Sequence, residues 1–303
     1  MESKGVKNRV ACFLKRSFKG LAVDRTLKDS VSQYEAPLCK GDDSFCQAGI
    51  DQEYNPNPGH RGKDVEWVPA SQVVINRMFE ITKVTAEDYV IDLGSGDGRM
   101  VIGAARLGAR ALGIEFNPRM VELSRKNAER EGLTGRAAFV QADFFNVDFS
   151  SATVLTLFLR EDINLALRPK ILDMRPGTRI VSNIFNMGDW QADEIAEVED
   201  EDYYFRNHTV YYWVVPARVK GAWKFPLGEL RLDQGFQMIN GYLRSDTTVT
   251  PVTGKMTGGR IGLTAGGRQY AGCVNGDLME LKTNNGGNEG WSATLVLSSS
   301  LII

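Results

Sequence analysis

The stretch Tyr89-Val-Ile-Asp-Leu-Gly-Ser-Gly-Asp-Gly98 constrains the fold more than any other part of the 303-residue chain. Tyr89, Val90, Ile91 and Leu93 form an apolar run of the kind found in a parallel strand covered on both faces. Gly94, Gly96 and Gly98 permit a sharp turn and leave room for a ligand to approach the backbone. Met100-Val-Ile-Gly-Ala-Ala-Arg-Leu107 then reads as a helix. Strand, glycine turn and helix in this order place a cofactor loop at the carboxyl end of a first strand.

The side chains of the turn narrow the choice of cofactor. The dinucleotide fingerprint needs a glycine at position 99, which is Arg. Asp92 and Asp97 would repel a pyrophosphate and favour a ligand carrying cationic groups. S-adenosylmethionine (SAM) has no phosphate and carries an ammonium and a sulfonium. The loop therefore suits SAM better than NAD. Asp92, Gly94, Ser95, Gly96, Asp97 and Gly98 are the first group of expected cofactor-binding residues.

Downstream, strands and helices alternate. Strands are expected at 89–93, 109–115, 137–141, 153–159 and 178–183, with helices at 98–107, 119–131 and 162–172. This alternation specifies a parallel sheet with helices on both faces. Ile195 to Val198 and Thr209 to Val215 would close the sheet with an antiparallel pair. Upstream, Ser71 is a suitable N-cap for a helix over 72–83. Glu115 ends the second strand, where a carboxylate can accept both ribose hydroxyls of an adenosine cofactor. Phe116 and Asn117 follow it, and Pro118 opens the next helix. Asp143 ends the third strand and is suited to the adenine amino group, with Phe144 against the ring.

After Pro216 the pattern changes. Residues 217–303 hold 15 of the 31 glycines, so turns are frequent and no helix is expected. Short segments at 229–233, 235–243, 259–264, 268–274, 277–282 and 291–297 read as an antiparallel barrel or sandwich. Leu230, Phe236, Met238, Ile261, Leu263, Tyr270, Val274 and Trp291 are its expected inward residues. The expected organisation is an N-terminal arm (1–65), a cofactor-binding α/β domain (66–216) and an all-β domain (217–303).

Other features mostly exclude. A formal net charge of −2 gives no electrostatic case for a nucleic-acid partner. No apolar run is long enough to span a bilayer. The four cysteines, Cys12, Cys39, Cys46 and Cys273, form no C-x-x-C pair, and only His60 and His208 are present, so no metal site is expected. Cys39 and Cys46 could pair in an oxidising compartment, and otherwise read as two ordinary thiols in a loop. Residues 1–30 are basic with an apolar stripe at helical spacing, which leaves weak membrane association or a targeting role open. SAM supply points to the cytoplasm. The Asn/Asp-Pro-Pro-Tyr motif of nucleic-acid amino-methyltransferases is absent after the fourth strand. Methyl transfer needs alignment more than acid–base help, and no base stands out; Asp162 and Asp189 are guesses.

Residues 66–216 resemble the class I, seven-strand SAM-dependent methyltransferases. More narrowly, they resemble the lysine methyltransferases acting on the ATP synthase c subunit and the adenine nucleotide carrier, with their bacterial relatives. The resemblance rests on Trp67-Val68-Pro69-Ala70, Asp92-Leu-Gly-Ser-Gly-Asp-Gly-Arg99, Gly113-Ile-Glu115 with Asn117-Pro118, Ser124-Arg125, and Pro176-Gly-Thr-Arg-Ile-Val-Ser182. It implies SAM binding through Asp92, Gly94, Gly96, Glu115 and Asp143, a role for 67–69 in closing over cofactor and acceptor, and a protein lysine as acceptor. Trp67 and Pro69 are the catalytic candidates. The family often has Tyr where this chain has Trp67, and its mitochondrial members lack the β-rich module. The alternatives are a small-molecule methyltransferase whose β domain shapes the acceptor pocket, and a SAM-binding scaffold without catalysis.

Overall fold

One sheet is tied together at its amino ends and opens at its carboxyl ends. The computed structural model describes residues 54, 56, 58–61, 63–64, 66–201, 206–226, 228–283 and 290–296. The basic start and the Cys39/Cys46 pair lie outside them. The chain divides into two compact units between Val214 and Val215.

The first unit opens with a short hairpin, β1 (His60–Arg61) and β2 (Glu66–Trp67). Helix α1 (Gln72–Thr82) follows, capped by Ser71, whose Oγ accepts from Val74 N at 3.3 Å. Its Val74, Ile75, Met78 and Phe79 are buried. Then come β3 (Tyr89–Leu93), α2 (Arg99–Arg106), β4 (Arg110–Glu115), α3 (Pro118–Arg130), β5 (Ala137–Gln141), β6 (Val154–Leu157), α4 (Glu161–Leu172), β7 (Arg179–Asn183), β8 (Glu194–Glu199) and β9 (Asn207–Val214). The sheet order is β5-β4-β3-β6-β7-β9-β8, with β9 antiparallel to both neighbours. The expected α/β sheet and its antiparallel closure are both present.

Every residue of β3 is buried, as its unbroken apolar run requires of a central strand. At the amino edge, Asp88 accepts from Thr85 N at 2.8 Å, from Thr153 Oγ1 at 2.8 Å and from the Arg179 guanidinium. Arg179 also donates to the carbonyl of Thr82 at 2.6 Å. This network joins the starts of β3, β6 and β7 to the end of α1. The chain order reverses between β3 and β6, and ligands of such sheets bind outside the carboxyl ends at that point.

The second unit is a closed barrel of eight antiparallel strands: β10 (Gly221–Phe225), β11 (Gly228–Gly235), β12 (Met238–Arg244), β13 (Val249–Thr257), β14 (Arg260–Ala265), β15 (Arg268–Asn275), β16 (Leu278–Thr283) and β17 (Gly290–Val296). Six of these were expected; β10 and β13 were not. Pro251 and Gly254 weaken the strand signal in β13. Pro251 is tolerated because it lies one residue before pairing with β14 begins at Val252. Trp223, Leu230, Ile239, Met256, Ile261, Met279, Leu281 and Ala293 fill the interior. Two expected inward residues are corrected. Met238 is 57% exposed, and Phe236 sits in the turn between β11 and β12 at φ 53°. Tyr270 and Trp291 are partly buried against the core. At Gly272 a Cβ would stand 1.7 Å from the Glu280 carbonyl oxygen, so that close strand approach requires glycine.

Candidate active site

A cleft opens at the carboxyl ends of β3, β4 and β6. It is lined by Asp92 of β3, Gly94, Ser95 and Asp97 of the glycine loop, Glu115 at the end of β4 with Phe116 and Asn117 after it, Phe144 after β5, and Leu157 at the end of β6 with Phe158 and Leu159 after it. Trp67, Val68, Pro69 and Ala70 close one side, with Lys63 and Arg99 also on its wall. The two catalytic candidates, Trp67 and Pro69, therefore meet most of the expected cofactor residues in one place.

The loop is shaped by backbone bonds. Gly94 N and Ser95 N both donate to the Ile114 carbonyl, at 2.8 and 3.1 Å, and Gly98 N donates to Ser95 O at 2.9 Å. Gly96 has φ 53°, and a Cβ there would come within 2.3 Å of Trp67 Nε1. The bare backbone at Gly96 thus makes room for the Trp67 indole. Gly98 has φ 85°, and its Cβ would meet Ser124 and Phe139 at 2.7 and 2.8 Å. It serves the packing of α2 on α3 and β5 and does not line the cleft.

Electrostatics set the character of the cleft. Asp92 is buried and accepts from Thr156 Oγ1 at 2.6 Å. Burial, with the charges of Glu115 and Asp97 adding to it, pushes its carboxyl up to about 7. Glu115 accepts from Gly96 N at 3.0 Å and from Asn117 N at 2.8 Å. Burial still raises its carboxyl above the ordinary range, against the pull of those amides. Asn117 caps α3 through Arg119 N at 3.0 Å. Among the described residues, the buried Ser95 Oγ has no hydrogen-bond partner. Asp92 and Glu115, which have no cationic partner among the described residues, and an unsatisfied hydroxyl favour a ligand with cationic and hydrogen-bonding groups, and a phosphate would add to the repulsion. The residues present fit SAM.

Asp143 lies at the margin, accepting from Phe145 N at 2.9 Å and from Lys63 Nζ at 2.8 Å. Lys63 also stands 5.1 Å from the centroid of the Phe116 ring. Tyr54 packs under the Arg119 guanidinium, 4.1 Å from ring centroid to Cζ. Asp162 and Asp189 do not line the cleft; they pair with Arg160 and Arg168. Among the described residues no group of His, Cys, Asp and Glu is placed to hold a metal ion. Sequence reasoning missed Lys63, Thr156, Met100 and Met120, and gave Arg99 no role. Lys63 sits in a Gly/Pro/Asp-rich stretch without periodicity, and Thr156 lies inside an apolar strand; neither carries a local signal.

Comparison with known proteins agrees with this geometry. Residues 92–194 match the ANTKMT methyltransferase domain family. A protein-lysine N-methyltransferase from Saccharolobus islandicus is 44% identical over 154 residues, which is 50% of this chain and 94% of that protein. The human lysine N-methyltransferase of the ATP synthase c subunit is 32% identical over 140 residues, 46% of this chain and 60% of that protein. A solved RNA methyltransferase from Salinibacter ruber, in complex with S-adenosyl-L-homocysteine, is 44% identical over 50% of this chain and 96% of that one, with a TM-score of 0.46. The acid-lined cleft, the seven-strand sheet that carries it and a relative matched over nearly its whole length lead to one conclusion: the chain belongs, through its first unit, to the SAM-dependent methyltransferase family that includes the protein-lysine N-methyltransferases.

Proposed function

We propose that this enzyme transfers the SAM methyl group to the amine of a protein lysine. The observation that carries the reading is the geometry of the cleft, in which Asp92 and Glu115 face an apolar wall of Trp67, Pro69, Leu157, Phe158 and Leu159. The names of the relatives from Saccharolobus islandicus and Homo sapiens support the acceptor class.

When bound, SAM supplies a methyl group activated on a sulfonium, whose transfer is an in-line displacement governed by alignment. Glu115 would hold the ribose hydroxyls. Asp143, Phe116 and Phe144 would hold the adenine. Asp92 and Ser95 would hold the amino-acid end, with Asp97 beside them paired to Arg99. The wall of Trp67, Pro69, Leu157, Phe158 and Leu159 would take the acceptor chain. A lysine amine is protonated in water, with a pKa of about 10.4. The apolar wall disfavours its charged form, so the amine enters as the neutral nucleophile with its proton left to solvent. The barrel interior is filled by its own side chains, so it lends no support to a small-molecule cup.

The test is transfer of tritium from labelled SAM into a cell lysate, followed by protease, RNase and size fractionation. Label should follow protease-sensitive material and appear as methyl-lysine after acid hydrolysis. Label in RNase-sensitive or low-mass material would overturn the lysine acceptor, and tight SAM binding with no transfer would favour the scaffold.

A further inference from the structure

Arg99 stands where a cation is disfavoured. It is the first residue of α2, whose positive dipole end it faces, and its N-cap Gly98 offers no side-chain bond. Its side chain is nevertheless fixed on two sides. Nε donates to Asp97 Oδ1 at 3.0 Å and Nη2 to Asp97 Oδ2 at 2.6 Å, a two-point grip on the glycine loop. Nη1 donates to the Ala70 carbonyl at 2.9 Å, across 29 residues of sequence. The Asp97 carbonyl is itself held by Asn127 Nδ2 at 3.0 Å, so the loop end of the grip is anchored to α3.

Ala70 closes the segment that carries Trp67 and Pro69 over the cleft. That segment touches the loop at a second place, where the Trp67 indole fills the space beside Gly96. The guanidinium is the planar fork able to engage a carboxylate and a carbonyl together; a lysine ammonium presents one point charge. The Arg–carboxylate pair is charge-assisted and sets direction as well as strength.

We propose that Arg99 is a positioning residue: it latches the Trp67–Ala70 segment onto the methyl-donor loop, so that the wall of the cleft and the loop move as one body. Arg99 thereby explains why this loop carries Arg where the dinucleotide fingerprint has glycine. The latch rests on the reading of this cleft as the SAM site and is independent of which acceptor is used.

The test uses the full chain and four variants: Arg99→Gln, Arg99→Lys, Trp67→Phe and the Arg99→Gln/Trp67→Phe double variant. Two readouts are taken, SAM affinity by calorimetry and amide hydrogen exchange over 66–74. The latch predicts that Arg99→Gln weakens SAM binding tenfold or more and speeds exchange at 68–71. Arg99→Lys should stay within threefold of Arg99→Gln, because charge alone does not restore the fork. Since Trp67 and Arg99 hold the same segment, their losses should not multiply, and the double variant should stay within twofold of Arg99→Gln. A general loss of stability would speed exchange everywhere, and exchange confined to 68–71 separates the two. Arg99→Lys and Trp67→Phe carry the test should Arg99→Gln not fold. Affinity within twofold of wild type, multiplying losses, or unchanged exchange at 68–71 would each overturn the latch. A wild-type protein that binds no SAM would instead overturn the reading of the cleft.

Discussion

The two units solve the burial of a sheet in opposite ways. β3 is buried along its whole length, while β14 alternates exposed and buried residues from Arg260 to Ala265. A parallel sheet covered on both faces can bring polar groups together only at its ends, and Asp92, Ser95, Asn117, Thr156 and Asn183 sit at or near the carboxyl edge. The barrel has one inner face, and Gln237 is its single buried polar side chain among the described residues. One unit keeps buried acids at the cost of stability; the other is packed with apolar side chains and, among the described residues, holds no comparable cluster. The difference in strand geometry thus accounts for where the described buried polar groups collect.

The sharpest way to break that contrast is to damage the barrel. Trp223 is fully buried, so Trp223→Ala should cost about 3–5 kcal/mol, read by urea denaturation, while the SAM dissociation constant stays within twofold. A large loss of SAM affinity would show that the units do not separate in function.

Asp92→Asn should act in the opposite direction on stability. The folded carboxyl titrates near 7, above its unfolded value. Between about pH 4 and pH 7 the folded form keeps a proton that the unfolded chain has lost, so stability falls as pH rises through that window. The Asn variant should escape this fall and be more stable at pH 8 by on the order of 2–4 kcal/mol. Denaturation midpoints from pH 4 to 8 check it; parallel curves for both proteins would refute it. In the wild type, a bound cation should expel the proton, so calorimetric SAM-binding heats at pH 7 should vary with the buffer's ionisation enthalpy.

Glu115→Gln should weaken SAM binding by about 1.5–3 kcal/mol, the worth of hydrogen bonds to a charged group. An unchanged dissociation constant would remove Glu115 from the cofactor site. Gly96→Ala adds a Cβ at positive φ against the Trp67 indole, and a cost of about 1–2 kcal/mol is expected from the left-handed backbone alone. A shift in tryptophan emission should report the displaced ring. The smallest effect belongs to the exposed Glu122–Lys126 pair on α3. Replacing either should change stability by less than about 0.5 kcal/mol.

The candidate site was legible to the extent that its residues sit next to strand ends. Glu115 could be placed at the cleft and Asp143 at its margin because each lies at a strand end, and Asn117-Pro118 because the cap and the first helical proline are local signals. Lys63 and Arg99 were not, because their partners lie 80 and 29 residues away. In the barrel, Leu230, Ile261, Leu263 and Val274 could be placed by alternation, whereas β13 was hidden by Pro251 and Gly254. Met238 was misplaced because alternation gives a face only when the strand's starting residue is known; the Phe236–Gln237 turn sets that start.

The sequence by itself determined the strand–loop–helix unit at Tyr89 to Leu107, the order of β/α alternation, the acids of the cofactor loop and the change to antiparallel strands after Pro216. These are properties of period, capping and neighbouring residues. Only the tertiary structure decided that Gly96 makes room for Trp67, that Gly98 packs α2 against Ser124 and Phe139, that Asp92 is desolvated beside two other acids, and that eight strands close into a barrel. The reason is the same throughout: each depends on which distant segment lies across the space, and close packing fixes that only once the whole unit has folded.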